Sequence, residues 1–161
     1  MFVKVQKVTH DSFNKYGQVV LLPNYPAPLG TETIKFWPAL ARYMVNGKTE
    51  IGICTCLKRP RKIDSMERHL NTPEILIPLD DNFLLPIAVP SQPVNKGNKL
   101  KVKGIQIMNI KKGTAVIMEP GVWHWAVWPE NGKSVTYLVL FKLNTPRYDF
   151  DKKSLEKTIG F

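Results

Sequence analysis

At 161 residues with 43% hydrophobic composition, the chain is long enough to build one domain, residues 1–161, around its own core, and no second domain is expected. No stretch approaches the roughly 18 apolar residues of a membrane span, and the opening MFVKVQKVTHDSF lacks the apolar run of a signal peptide, so the expectation is a cytoplasmic protein that does not enter a membrane. Twenty-three Lys and Arg against 13 Asp and Glu, a formal charge of +10, suit an anionic partner: nucleic acid, an anionic surface or a small anionic substrate.

Short apolar runs punctuated by glycine, proline and asparagine recur along the chain, and no segment holds a sustained 3.6-residue period, which predicts a mostly β protein. FVKVQKV (2–8) alternates as a strand does. Asp11 or Ser12 is placed to cap a helical turn that stops at Gly17, and QVVLL (18–22) reads as the next strand. ARYMV and KTEIGICTCL flank Asn46-Gly47, the pair that tolerates the positive φ angles of a type I′ turn, so residues 41–57 read as a hairpin. The basic run Lys58-Arg59-Pro60-Arg61-Lys62 reads as a solvated loop. IDSMERH, EILIPL, FLLPIAV, GIQIMNI, TAVIM, WHWAVW and SVTYLVLF then follow as short strands, a number that points to a sandwich or barrel. Residues 91–103, SQPVNKGNKLKVK, read as a long flexible loop. The tail, residues 145–161, reads as a short helix or a disordered end.

Cys54 and Cys56 lie on one strand without the C-x2-C spacing of common zinc or redox sites. They read as two reduced thiols, which fits a reducing compartment.

The chemistry-bearing residues are few. Glu67, His69 and Glu74 lie within eight positions, just before an apolar run where an unpaired charge is costly. On a strand Glu67 and His69 share a face and Arg68 points to the other. His124 follows a Pro-Gly turn far downstream in EPGVWHWAVWP. If a barrel brings these strands together, two Glu and two His make a first shell for a borderline divalent ion. Each histidine taken alone reads as an ordinary core or surface residue; it is the spacing that favours a site. Trp123, Trp125 and Trp128 fit a core or an aromatic wall, and Arg42 or Arg68, or a nearby lysine, would be needed to hold a carboxylate.

The spacing resembles the two motifs of the cupin superfamily, with Glu67 in place of the first histidine, His69 and Glu74 next, and Gly121-x-x-His124 as the second motif. Within the cupins it resembles the ureidoglycolate lyase family, through Glu67-Arg68-His69, Glu74 to Leu79 (EILIPL) and Gly121-Val122-Trp123-His124. FNKYG (13–17) and FWPALAR (36–42) add weaker likeness, for a span of roughly residues 10–142. Glu74 stands where that family has glutamine, Ile117 where it has asparagine, and Trp125-Ala126 where it has His-Pro.

The resemblance implies a cupin-like double-stranded β-helix barrel of jelly-roll type and a homodimer. It also implies an enzyme that splits ureidoglycolate into glyoxylate and urea in allantoin and purine degradation. Glu67, His69, Glu74 and His124 would be the catalytic residues and the ligands of one divalent ion (Ni2+, Mn2+ or Zn2+), if an ion binds at all. Arg42, Arg68, Trp123 and Trp125 would contact a small anionic substrate. Two other classes stay open: a cupin-like protein that binds an anionic metabolite without turning it over, and, ranked last, a nucleic-acid binder.

Overall fold

The computed structural model describes all of residues 1–161. Its elements are, in order, β1 (Val5–Lys7), α1 (His10–Phe13), β2 (Gly17–Val20), β3 (Leu29–Gly30), β4 (Lys35–Phe36), β5 (Thr49–Leu57), β6 (Lys62–Arg68), β7 (Glu74–Pro78) and β8 (Phe83–Ala88). They continue with β9 (Gln106–Ile110), β10 (Ala115–Met118), β11 (Trp123–His124), β12 (Trp128–Pro129), β13 (Ser134–Lys142), α2 (Thr145–Tyr148) and β14 (Asp151–Gly160). One sheet runs β1-β9-β8-β11-β6-β14, with β12 added beside β8, and the facing sheet runs β2-β10-β7-β13-β5. All pairings are antiparallel except that of β1 with β9. The two sheets curl face to face into the jelly-roll barrel that the resemblance implied.

Alternation along the strands decides which side chains fill the barrel. Phe83, Leu85 and Ile87 of β8 point inward to meet Leu76 of β7, Val116 and Met118 of β10 and Val135 and Tyr137 of β13 in the main core. The intervening residues of the larger sheet, Leu84, Ala88 and Ile107, enter a second core on its outer face with Trp123, Trp128, Leu100, Leu155 and Phe161. That sheet is therefore buried on both faces, which is why β8 reads as an unbroken apolar run.

Several expectations change in three dimensions. The Asn46-Gly47 hairpin does not form: residues 41–45 are not a strand, and β5 pairs along its whole length with β13, from Thr49↔Lys142 to Leu57↔Ser134. Only Gly47 of the pair has positive φ (116°); nine residues of sheet pairing outweigh one local turn preference. The turn of α1 is capped by Thr9, whose hydroxyl accepts from the Ser12 amide while Ser12 answers the Thr9 amide. WHWAVW is not one strand but two two-residue ones, β11 and β12.

Residues 91–103 are fixed rather than flexible: Leu100 and Val102 are buried, and the Gln92 amide donates to the carbonyls of Lys101 (2.6 Å) and Lys103 (2.8 Å). The tail contains the short helix α2, but residues 151–160 form a strand on the β6 edge, because Leu155 and Ile159 supply apolar surface to the second core. Arg59 is likewise not simply solvated. It stacks 3.9 Å over the Trp128 ring and donates to the carbonyls of Ala126 and Val127, each at 3.0 Å.

Candidate active site

β6 carries Glu67, and His69 follows directly at its end. β11 is Glu67's neighbour, with His124 as its register partner. Glu74 opens β7 in the facing sheet, so four groups from both walls converge inside one end of the barrel. Gly121 makes the turn before His124: its φ of 85° suits a residue without Cβ, and its amide donates to the His69 carbonyl at 2.6 Å. Gly17 closes the neighbouring strands, because a Cβ there would lie 2.0 Å from the Ile117 carbonyl oxygen.

His124 Nε2 lies 2.8 Å from Glu74 Oε2 and 3.9 Å from Glu67 Oε1, and His69 Nε2 lies 3.7 Å from Glu74 Oε2. The two imidazole centroids are 5.3 Å apart. One ligand atom each from Glu67, His69 and His124 can be drawn within 4.8 Å of one another. The structure thus brings the side chains of Glu67, His69, Glu74 and His124 together in one cluster.

Backbone carbonyls fix both rings. His69 Nδ1 donates to the Asp149 carbonyl at 2.5 Å and His124 Nδ1 to the Val122 carbonyl at 3.1 Å. A carbonyl can only accept, so both Nδ1 atoms carry hydrogen and each Nε2 turns its lone pair, or a proton, into the cluster. Glu74 Oε2 and His124 Nε2 are buried and have no other hydrogen-bond partner. Two lone pairs at 2.8 Å repel unless positive charge sits between them, as a proton on His124 or a cation held by both. The donor set, two imidazoles ordered by backbone carbonyls and two carboxylates facing them, fits a borderline divalent ion.

In the metal-free cluster the electrostatics favour the proton. Burial alone would lower the His124 pKa, but the Glu74 charge and hydrogen bond, with Glu67 beyond, push it from 6.5 up to about 9. For Glu74, burial acts upward and is outweighed by His124 and His69, which leaves its pKa below the usual value. Glu67 moves the other way: its desolvation is the largest effect and, with the Glu74 charge, exceeds the pull of His124. Two carboxylates in one site thus have opposite proton affinities.

The remaining expected residues divide. Trp123 lies in the second core, on the sheet face opposite His124, and Arg68 is stacked 4.2 Å over its ring with Nε bonded to Asp151 at 2.7 Å. Arg42 is exposed, and its backbone is bridged by the Gln18 side chain. Trp125 is half-buried beneath Lys152, whose Nζ is 4.6 Å from its centroid. Lys152 is the register partner of Glu67 and acts on that carboxylate electrostatically.

Sequence reasoning missed Lys152 and Asp149. Asp149 clamps the chain after β6: its carboxylate accepts from the Leu70 and Asn71 amides, both at 2.8 Å, while its carbonyl holds His69. Nothing local in DFDKKSL marks either residue; only the pairing of β14 with β6 does.

The sequence matches the ureidoglycolate lyase family over residues 1–160. The chain belongs to the ureidoglycolate lyase family. No curated protein matches it in sequence. Solved structures to which this family member is similar include an oxalate decarboxylase of Bacillus subtilis, at 15% identity over 68% of this chain and 24% of that one, with a TM-score of 0.43. Another is the Lactobacillus farciminis oxalate decarboxylase in a formate complex, at 12% identity over 65% and 26%, TM-score 0.44. A third is RmlC from Streptococcus suis in complex with dTDP-D-xylose, at 13% identity over 59% and 44%, TM-score 0.42. The chain spans about a quarter of the length of the oxalate decarboxylases it matches.

Proposed function

We propose that residues 1–161 act as one domain, a cytoplasmic ureidoglycolate lyase that works as a homodimer and releases urea from ureidoglycolate to give glyoxylate. The observation that carries this reading, beside family membership, is the pair of carboxylates with opposed proton affinities around two backbone-fixed imidazoles.

The carbon that breaks bears a hydroxyl and a urea nitrogen. The hydroxyl proton must leave as the C–N bond breaks and the carbonyl forms, and the departing nitrogen must gain a proton. Glu67 is the base of the pair. Its side chain is about twice as exposed as that of Glu74, 24% against 11%, and its raised pKa brings it closer to neutral pH, where proton transfer is most effective. Glu74 is committed to His124 and stays ionised. A divalent ion held by His69, His124, Glu74 and Glu67 would supply positive charge that lowers the pKa of a nearby hydroxyl. Lys152, stacked over Trp125 and the register partner of Glu67, is the cation we assign to the substrate carboxylate. This role passes to Lys152 from Arg42 and Arg68. No helix is long and apolar enough to cross a membrane, and Cys54 and Cys56 are free thiols, in keeping with a reducing compartment.

The test is to follow glyoxylate from ureidoglycolate with purified protein and nickel, manganese or zinc. Release well above the spontaneous rate is expected with at least one ion, and Glu67→Gln should lower kcat by roughly 10²- to 10⁴-fold. Release at the spontaneous rate under every condition would overturn the reading.

A further inference from the structure

The end of the barrel away from the His and Glu cluster carries a cleft of its own. β10 opens there with Ala115 beside Val20 and reaches Glu74 only at Met118, so a strand length, roughly 10 Å, separates the two places. The cleft has a volume of about 330 Å3, within the roughly 300–1,000 Å3 of small-molecule sites. Lys7 ends β1 and Lys111 and Lys112 follow β9 in the larger sheet, while Leu21 and Leu22 follow β2 in the facing one. The cleft therefore lies where the two sheets part.

Its floor is apolar. Val8 belongs to the main core and Leu21 packs against that core. Leu22, 76% exposed, leans toward the turn at Gly113, with its Cδ1 3.9 Å from where a Cβ there would lie. The rim is cationic: Lys7, Lys111 and Lys112 line it, and none of the three forms an ion pair. The acids on the adjoining turns are engaged elsewhere. Glu130 accepts from the side-chain amides of Asn82 and Asn109, and Asp81 accepts from the backbone amides of Asn82 and Gly132.

Two of the lysines sit on a fixed turn. The Lys112 amide donates to Asn82 Oδ1 at 2.8 Å and the Thr114 amide to the Lys111 carbonyl at 2.9 Å, with Gly113 at a φ of 80° between them. Like charges gathered this way repel unless an anion joins them. Thr114 adds a directional group. It is 5% exposed and lines the cleft, and its hydroxyl pairs with no other group of the protein, an arrangement that favours a ligand able to bond with it.

We propose that this cleft binds a small phosphate monoester with an apolar body. The phosphoryl oxygens meet the three ammonium groups and the Thr114 hydroxyl, and the apolar part covers Val8, Leu21 and Leu22. Lysines bind phosphate as point charges, and a dianion answers three of them better than a single carboxylate does. The site goes beyond the lyase reading, because no residue of the His and Glu cluster lines it.

Phenyl phosphate and inorganic phosphate are the probes, titrated into the full chain at constant ionic strength and followed by amide NMR. Phenyl phosphate is expected to bind with a Kd below about 1 mM and about tenfold tighter than inorganic phosphate, with the largest shifts at residues 7–9, 21–22 and 111–114. Lys111→Ala with Lys112→Ala should weaken it by about tenfold or more. Thr114→Val, which keeps the shape and removes the hydroxyl, should weaken it by about threefold or more. Lys99→Ala with Lys101→Ala removes the same charge from another exposed place and should leave the affinity unchanged. The shift map and the comparison of probes use the unmutated chain, so they stand whether or not a variant folds. Absence of saturable binding, shifts centred on the His and Glu cluster, equal affinity for the two probes, or equal losses from the two lysine pairs would each overturn the proposal.

Discussion

At the scale of single residues, the cluster is governed by one close contact, His124 Nε2 to Glu74 Oε2 at 2.8 Å. Because the folded His124 pKa is raised from 6.5 to about 9, its contribution to stability in the metal-free protein is fully present below pH 6.5. It is lost as pH climbs through about 9. Glu74, whose pKa is lowered from 4.5, contributes above that value and loses the contribution as pH falls below it. The expected outcome is that chelator-treated protein loses Tm between pH 6.5 and 9, and that His124→Ala flattens that slope. A parallel slope in both proteins would show that the titration lies elsewhere. Metal binding below pH 9 should also release a proton from His124, readable by calorimetry in buffers of different ionisation enthalpy.

At the scale of elements, two segments that look like unstructured sequence are tied into the fold, one against the outer core and one against the site. The 91–103 segment seats Leu100 against β14: its amide donates to the Ser154 carbonyl and its carbonyl accepts from the Glu156 amide, both at 2.9 Å. Leu100→Ala should therefore cost about 2–5 kcal/mol by urea unfolding, as for a packed core leucine; a cost below about 0.5 kcal/mol is what a solvated loop would give. The turn after α2 plays the other part. Removing the Asp149 carboxylate frees the Leu70 and Asn71 amides and loosens the backbone that holds His69. Asp149→Ala is accordingly expected to weaken divalent-metal affinity by roughly tenfold, measured by competition with a chelating dye. Unchanged affinity would mean that the Asp149 carbonyl holds its place without its own side chain.

At the scale of the whole molecule, the cluster joins two sheets whose shared interior is otherwise mainly apolar. Glu74 comes from one wall, and Glu67 and His124 from the other. A cation bound between them exists only in the folded barrel, so a saturating ion should raise global stability. At a concentration 100 times its dissociation constant the gain is about 2.7 kcal/mol, a rise of several degrees in Tm for a domain of this size. His69→Ala with His124→Ala should abolish the rise, and a persistent rise in that double variant would place the ion outside the cluster.

Much of the site was legible in the linear order. Period-two alternation in MERH put Glu67 and His69 on one face, the spacing to Glu74 and to Gly121-x-x-His124 matched a known pair of motifs, and the density of short apolar runs implied a sandwich or barrel. Those signals are local, or they repeat a pattern that only one fold accommodates. What the tertiary structure decided is pairing between distant segments, which no local preference encodes. Asn46-Gly47 favours a turn, but β5 gains nine residues of register with β13 instead. The lysine-rich tail has weak strand character, yet Leu155 and Ile159 find a core to bury in, and that pairing brings Lys152 beside Glu67 and Asp149 beneath His69. Arg68 and Trp123, adjacent to site residues in sequence, are turned to the opposite face by the same pleat that points Glu67 and His124 inward.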